Sequence, residues 1–442
     1  MVFINIILIL GVLLIYTAIW LSVNLYNLYP MLNYYLRKDR SIASERGYKL
    51  PKRLPKISIL LPAFHEELVL PYSVKRIFES DYPSRLLEVI VLLEKDDVGT
   101  IVVANSLIKK YGIKHLKIEE EEDLPRGKPR ALNFGLKHIT GSIVGVIDAE
   151  DIIDKKLFKK VVTLIDSGCD AVQGVLDMVN DRDGFTNMHL RAEYRYWYRI
   201  YMPALTYSNF PVPLGGTTNF FKSNLLKKLK GWDPFNVTED FDLGIRLYNE
   251  HKKVGIAFDM LGKRSGSSIF HDKYKFSMMN SVTLEESPLT FKGWLRQRTR
   301  WQRGKIQTLK KIIKNPPDSF INKVHSGMMS LVPHMGFINI TGILFSIFVF
   351  FTNTPLPLSI YYLFGFNIMM FVFYCVMQAY GYYTAVHKNR KHRLQKAVFV
   401  GLTTPIYWVI QWAADMRAIK HEYFGSKVFW EKTAHAGAHI KN

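Results

Sequence analysis

The residues best placed to do chemistry are acids that close short apolar runs. Glu94, Lys95, Asp96 and Asp97 end the run LEVIVLLE (87–94), and Asp148, Ala149, Glu150 and Asp151 end GSIVGVIDA (141–149). Like charges repel, so two such clusters facing one crevice are most simply explained by a divalent cation, by sugar or base hydroxyls, or by both. The alternating Asp148 and Glu150 could hold Mg²⁺ or Mn²⁺ through oxygen ligands while the ion bridges a ligand's phosphates. An Asp-x-Glu after a strand also serves as a helix N-cap with a first-turn acid, and spacing alone leaves both roles open. Further on, Gly215-Gly216-Thr217-Thr218-Asn219 forms a small-residue loop, and Thr238-Glu239-Asp240 follows the turn GWDPFNV (231–237). Gln297, Arg300 and Trp301 stand within RQRTRWQRG (296–304). Cys169 and Cys375 lie far apart with no second thiol at metal-ligand spacing, which gives a disulfide framework or a zinc site almost no support.

The elements that must position these residues are short β-branched runs at 57–64, 87–94 and 141–149, alternating with helical spacing over 69–80, 98–112 and 128–138. The alternation predicts an α/β fold with a doubly wound, mostly parallel sheet, combined with transmembrane helices. Ligands of such sheets bind beyond the carboxyl ends of the strands, where the acids fall. This water-facing domain spans 51–310.

Membrane segments are expected on both sides of it. Residues 3–26 carry no charge, long enough to cross a bilayer, and Arg37, Lys38 and Arg40 follow, so 1–36 reads as a transmembrane helix with the next domain cytoplasmic. Residues 326–386 lack Asp, Glu, Lys and Arg and are interrupted by Thr354, Pro355 and Pro357, the pattern of a helical hairpin. The apolar stretch 397–414 contains Pro405 and either spans or lies kinked, re-entrant or interfacial. Together 311–418 form interfacial and transmembrane helices, and 419–442 a cytoplasmic tail. Lys and Arg total 59 against 38 Asp and Glu, a net +21, yet mean hydropathy is zero. Much of that surplus sits beside the apolar segments and along 292–314, which suits orientation and lipid contact, and nucleic acid is not an expected partner.

In this order and with apolar segments on both sides, the motifs resemble family-2 inverting glycosyltransferases, in particular membrane-integrated polysaccharide synthases of the cellulose and hyaluronan synthase type. Asp96, Asp148-Ala149-Glu150, Thr238-Glu239-Asp240 and Gln297 to Trp301 carry the resemblance, and 61–67 and Gly127 to Asn133 add to it.

The resemblance implies a nucleotide-sugar-binding domain of the glycosyltransferase A type, a cytoplasmic active site in a multi-pass cell-membrane protein, and a nucleotide sugar, most simply a UDP-sugar, as donor. Asp148 and Glu150 would hold the metal, although the family usually has a second Asp where Glu150 stands. Glu94 and Asp96 would line the base and ribose pocket. Lys128 could reach a phosphate or remain a solvated lysine at a helix start. Asp240 is the expected general base, with Glu239 and Asp242 as neighbouring competitors, and the same Thr-Glu-Asp also caps a helix over 243–251, whose N-terminus would keep the aspartate ionised. Arg300 can pair with pyrophosphate and Trp301 offers a face to a sugar, while most of the nine cations between Lys292 and Lys314 read as lipid-facing. The aromatic segment 191–201 reads as a core helix or an acceptor groove, and the tail 429–439 as a gating segment or a disordered tail. The acceptor is expected to be a growing β-linked polysaccharide; a polyprenyl-phosphate or other lipid acceptor, or a non-catalytic protein binding anionic lipid or nucleic acid, are the alternatives.

Overall fold

The computed structural model describes residues 2–36, 50–118, 124–179, 184–252, 276–331, 358–385 and 390–425, with isolated positions between 334 and 351. Seven strands form one sheet: β1 (Ile57–Ala63), β2 (Leu87–Glu94), β3 (Lys114–Ile118), β4 (Ile143–Val146), β5 (Ala171–Met178), β6 (Asn219–Lys222) and β7 (Phe276–Glu285). Their order is β3-β2-β1-β4-β6-β5-β7. β6 alone runs antiparallel to its neighbours β4 and β5, so the expected doubly wound, mostly parallel sheet is present.

The alternation of side chains explains two cores. Leu60, Ile90, Leu92 and Val144 pack on one face, while Ile59, Leu61, Val89 and Val91 pack on the other, as a period of two requires. Helices α2 (Leu70–Phe78), α3 (Val98–Tyr111), α4 (Lys128–Leu136) and α5 (Leu157–Asp166) connect the strands. α3 starts at Asp97, whose side chain accepts from Thr100 N at 3.2 Å, and stops at Gly112 in the left-handed region (φ 66°). Asp97 thus serves as a helix cap.

Beyond β5 the chain forms α6 (Phe185–Tyr196), a π-helical turn (Trp197–Tyr201) and α7 (Met202–Tyr207). After β6 come α8 (Ser223–Lys228) and α9 (Glu239–Lys252), and after β7 come α10 (Phe291–Lys314) and α11 (Phe320–Leu331). α10 therefore runs past the expected boundary at 310.

α1 (Val2–Leu36) forms over the first apolar segment and seats on α7 and the π turn, where Tyr201 donates to Asn27 Oδ1. α12 (Leu358–Ala385) covers the second half of the apolar region 326–386, and the break at 352–357 lies outside the described residues. α13 (Arg390–Tyr423) is one unbroken helix through Pro405. Among the described residues, its stretch His392–Tyr423 is the one helix that length and composition make long and apolar enough to cross a membrane. The tail segment 429–439 lies outside the described residues.

Candidate active site

The crevice opens at the carboxyl end of β4. The Asp148 N–H donates to Asp151 Oδ2 at 3.0 Å and to Thr217 Oγ1 at 3.1 Å, which folds the acidic turn against the small-residue loop. That loop is fixed from below by the buried Gln173 of β5, whose Nε2 donates to Thr217 O at 2.9 Å and whose Oε1 accepts from Gly215 N at 3.0 Å. Lys128, the first residue of α4, crosses the crevice and donates to Asp148 Oδ2 at 2.7 Å and Gly216 O at 2.9 Å. Its side chain is 11% exposed, so the solvated alternative does not hold. Burial would depress Lys128, but Asp148, Glu239 and Asp240 hold it above the ordinary lysine value.

Asp240 enters the same crevice from the first turn of α9. A β-carbon at Gly216 would lie 3.4 Å from both Asp240 Oδ2 and Lys128 Nζ, so the acid and the amine flank one glycine. The helix begins at Glu239, with Asp242 N donating to Thr238 O at 3.2 Å, so Thr238 caps it and Asp240 serves in the site at once. At Asp240 the helix N-terminus and burial act in opposite directions. Burial pushes its carboxyl up, against the Phe241 N–H at 2.8 Å and Lys128. Glu239 is pushed up to about 7 by burial and then by Asp240. The competitor Asp242 is engaged elsewhere, accepting from Arg246 Nε at 2.6 Å and Lys311 Nζ at 2.9 Å.

α10 holds the loop that carries Asp240. Asn236 Nδ2 donates to Thr308 Oγ1 at 2.8 Å, Val237 N to Gln307 Oε1 at 3.0 Å, and Arg300 Nη1 to Val237 O at 3.3 Å. Trp301 lies 6.3 Å from Tyr194, centroid to centroid, with the Arg298 guanidinium 4.8 Å over its ring. Gln297 Oε1 is buried with no hydrogen-bond partner among the described residues. Several of the nine cations are not lipid-facing: Arg298 pairs with Glu193, Arg303 and Lys310 with Glu422 of α13, and Lys311 with Asp233 and Asp242.

Glu94 and Asp96 sit apart from this group, at the end of β2. Arg130 Nη2 donates to both Glu94 oxygens at 2.9 and 2.7 Å, and Arg126 grips Asp96 with both Nη atoms. The Arg126 guanidinium holds the Asp96 carboxyl below its ordinary value and lies 4.5 Å over the Phe64 ring. Arg130 entered the sequence reading only as part of Gly127 to Asn133 and Arg126 not at all, although both stand in the RGKPR segment beside Lys128.

Two further acids complete the metal-side cluster. Asp151 is 2% exposed, and Glu285 ends β7 and accepts from Tyr194 OH at 3.1 Å. Burial, then Asp148 and Glu150, push Glu285 up to about 8 and Asp151 well above the carboxylate range. Asp148, Glu150, Asp151 and Glu285 offer oxygen donors alone, and their mutual repulsion is what a divalent cation relieves, so this donor set fits Mg²⁺ or Mn²⁺. Among the described residues, the group that brings three ligand atoms within 4.8 Å of one another is a different one, His65, Glu67 and Asp97. There Asp97 is already committed as the α3 cap and accepts from His65 N at 2.6 Å.

The sequence profile described as glycosyltransferase like family 2 matches residues 55–304. The chain is 29% identical over 294 residues to the probable glycosyltransferase YdaM of Bacillus subtilis, a match covering 65% of this chain and 64% of that protein. It is 27% identical over 260 residues to the β-monoglucosyldiacylglycerol synthase of a Synechocystis species, covering 57% of this chain and 48% of that protein. Both matches thus span less than two thirds of the relative's length. The solved mannosyltransferase PcManGT from Pyrobaculum calidifontis, in complex with GDP-Man and Mn²⁺, shares the fold with a TM-score of 0.52 at 16% identity, covering 93% of this chain and 100% of that one.

Proposed function

The chain belongs to glycosyltransferase family 2, and from that premise we propose that it transfers a sugar, with inversion at the anomeric carbon, from a nucleotide sugar to a β-linked polysaccharide growing at a membrane. The observation that carries this reading is the pairing across Gly216, which sets a half-buried carboxylate, Asp240, opposite a lysine that grips Asp148. Asp240 takes the proton of the acceptor hydroxyl as its oxygen bonds to the anomeric carbon. The bond from that carbon to the diphosphate breaks on the opposite side, and its electron pair leaves with the nucleotide. A carboxylate raised by burial is a stronger proton acceptor than a free one. Lys128 and Arg300 supply positive charge for the diphosphate.

Asp148 and Glu150 would hold a divalent cation, which neutralises the leaving diphosphate when bound. Glu94 and Asp96, backed by Arg130 and Arg126, would line the base and ribose pocket, and Gln297 and Trp301 the acceptor side. PcManGT, whose fold is shared, holds GDP-Man and Mn²⁺.

A multi-pass membrane setting is part of the proposal, with the catalytic domain cytoplasmic. Its support is the exposed apolar stripes Leu25, Tyr29, Leu32 and Leu36 on α1 and Met369, Val372, Val376 and Tyr380 on α12, faces that suit lipid better than water. A second reading, transfer of one sugar to a lipid acceptor, is favoured by the named activity of the Synechocystis relative. Nucleotide diphosphate release from a panel of UDP- and GDP-sugars, with and without Mg²⁺ or Mn²⁺, tests the enzyme. No release from any donor overturns it, and a product made only of singly glycosylated lipid overturns polymer growth.

A further inference from the structure

The π-helical turn Trp197–Tyr201 places a phenol where the mechanism so far assigns nothing. Tyr198 is 6% exposed, and its hydroxyl has no hydrogen-bond partner among the described residues. That hydroxyl lies against Gly215, closely enough that any side chain there would overlap it, and Gly216 beside it is the residue flanked by Asp240 and Lys128. Glu285 and Asp240 both act electrostatically on the same phenol. A π turn is a common device for presenting a side chain at a functional site.

The ring is also the inner end of an aromatic row. Tyr198 and Tyr194 stand one helical turn apart with centroids 5.6 Å from each other, and Trp301 continues the row 6.3 Å further on. Sugar rings present apolar C–H faces to aromatic surfaces and hydroxyls to fixed donors and acceptors. A diacylglycerol offers one hydroxyl, two ester groups and two acyl chains, and it has no ring face to lay against the aromatic row.

We infer that Tyr198, with Tyr194 behind it, forms the acceptor subsite next to the base and selects acceptors that end in a sugar ring. The inference rests on the transferase reading above and narrows its acceptor to a saccharide. A site built to hydrogen-bond a substrate hydroxyl discriminates strongly against acceptors that cannot match it.

The test uses the full-length protein in detergent with whichever nucleotide sugar supports turnover. β-Linked disaccharides (cellobiose, chitobiose and mannobiose) and dioleoylglycerol in mixed micelles serve as acceptors. Tyr198→Phe keeps the ring and its packing, and is expected to raise the disaccharide KM about tenfold. Donor KM and UDP or GDP competition should remain at wild-type values, which also reports that the variant is folded. An unchanged disaccharide KM overturns the inference, as does loss of donor binding, which would put the hydroxyl in the donor pocket. Dioleoylglycerol accepted by wild type as well as the disaccharides also overturns it. A wild-type protein that releases no nucleotide from any donor overturns the transferase reading itself, a result distinct from these.

Discussion

Gly304 of α10 lies directly on Thr238, so closely that a β-carbon at position 304 would overlap Thr238 Oγ1, Cβ and Cγ2 at once. Thr238 caps the helix that carries Asp240, so α10 sets the height of the base above the crevice. The absent side chain is what permits the contact. Gly304→Ala should push the Thr238 loop away and misplace Asp240 by a fraction of an ångström. Misplacement on that scale costs turnover more than binding. The expected outcome is a kcat lowered about tenfold or more with UDP or GDP affinity retained, read by nucleotide release and by competition.

The two aspartates of α9 should separate cleanly. Among the described residues no cation is held in hydrogen-bond contact with Asp240, while Asp242 is clamped by Arg246 and Lys311. Asp240→Asn removes the proton acceptor and should lower transfer by about 10² to 10⁴ while leaving donor binding near wild type. Asp242→Asn should instead cost about 1–3 kcal/mol of stability through its lost charged hydrogen bonds. A thermal melt and a transfer assay on each variant check the pair. Equal losses of activity at equal stability would reassign the base.

Much of this site was legible in the sequence, and what escaped did so for physical reasons. β1, β2 and β4 are buried on both faces and therefore read as continuous apolar runs ending in acids. β7 is equally central to the site but carries Ser281 and Thr283 inside. Those side chains are satisfied by Asp154 and Thr218, at 3.1 and 2.8 Å, so polar residues sit in a strand that no hydrophobic run announces. Glu285 at its end went unread with it. The cations of α10 looked lipid-facing because the acid that pairs Arg303 and Lys310, Glu422, lies more than a hundred residues away in sequence. Tyr198 sat in a segment whose aromatics suited a core helix or a groove, and in the fold Tyr194, Tyr198 and Tyr201 are buried in the core.

The acidic cluster should make stability depend on pH. The folded protein releases the Glu285 proton near 8, and the unfolded chain releases it near its ordinary 4.5. A folded-state value above the unfolded one contributes stability that is full below the lower value and lost as pH rises to the upper one. Glu239, pushed up to about 7, works in the same direction. Without added metal, the melting temperature should fall between about pH 5 and pH 8, and Glu285→Gln should flatten that fall. Millimolar Mn²⁺ should raise the melting temperature at pH 8 by mass action, and Asp148→Asn should reduce the gain. A fall of the same size in Glu285→Gln as in wild type would remove Glu285 as its source.

The two faces of α13 lead to the last prediction. Leu394, Val398, Leu402, Ile406 and Val409 recur every three or four residues and are each at least half exposed. The opposite face carries Val400, Thr404, Tyr407 and Ala414, all buried against the rest of the protein. In water such a stripe would be an aggregation surface, whereas in lipid it is the ordinary exterior of a membrane helix. Leu402, 75% exposed, tests the choice because a charge there meets the surroundings and not the core. If the stripe faces lipid, Leu402→Lys should cost about 2.5–3.5 kcal/mol at mid-bilayer. Membrane retention or extraction stability should then drop, while Leu402→Phe behaves as wild type. If the stripe faces water, Leu402→Lys should instead improve solubility and leave fractionation unchanged. Carbonate extraction and a detergent-series melt on the two variants tell these outcomes apart.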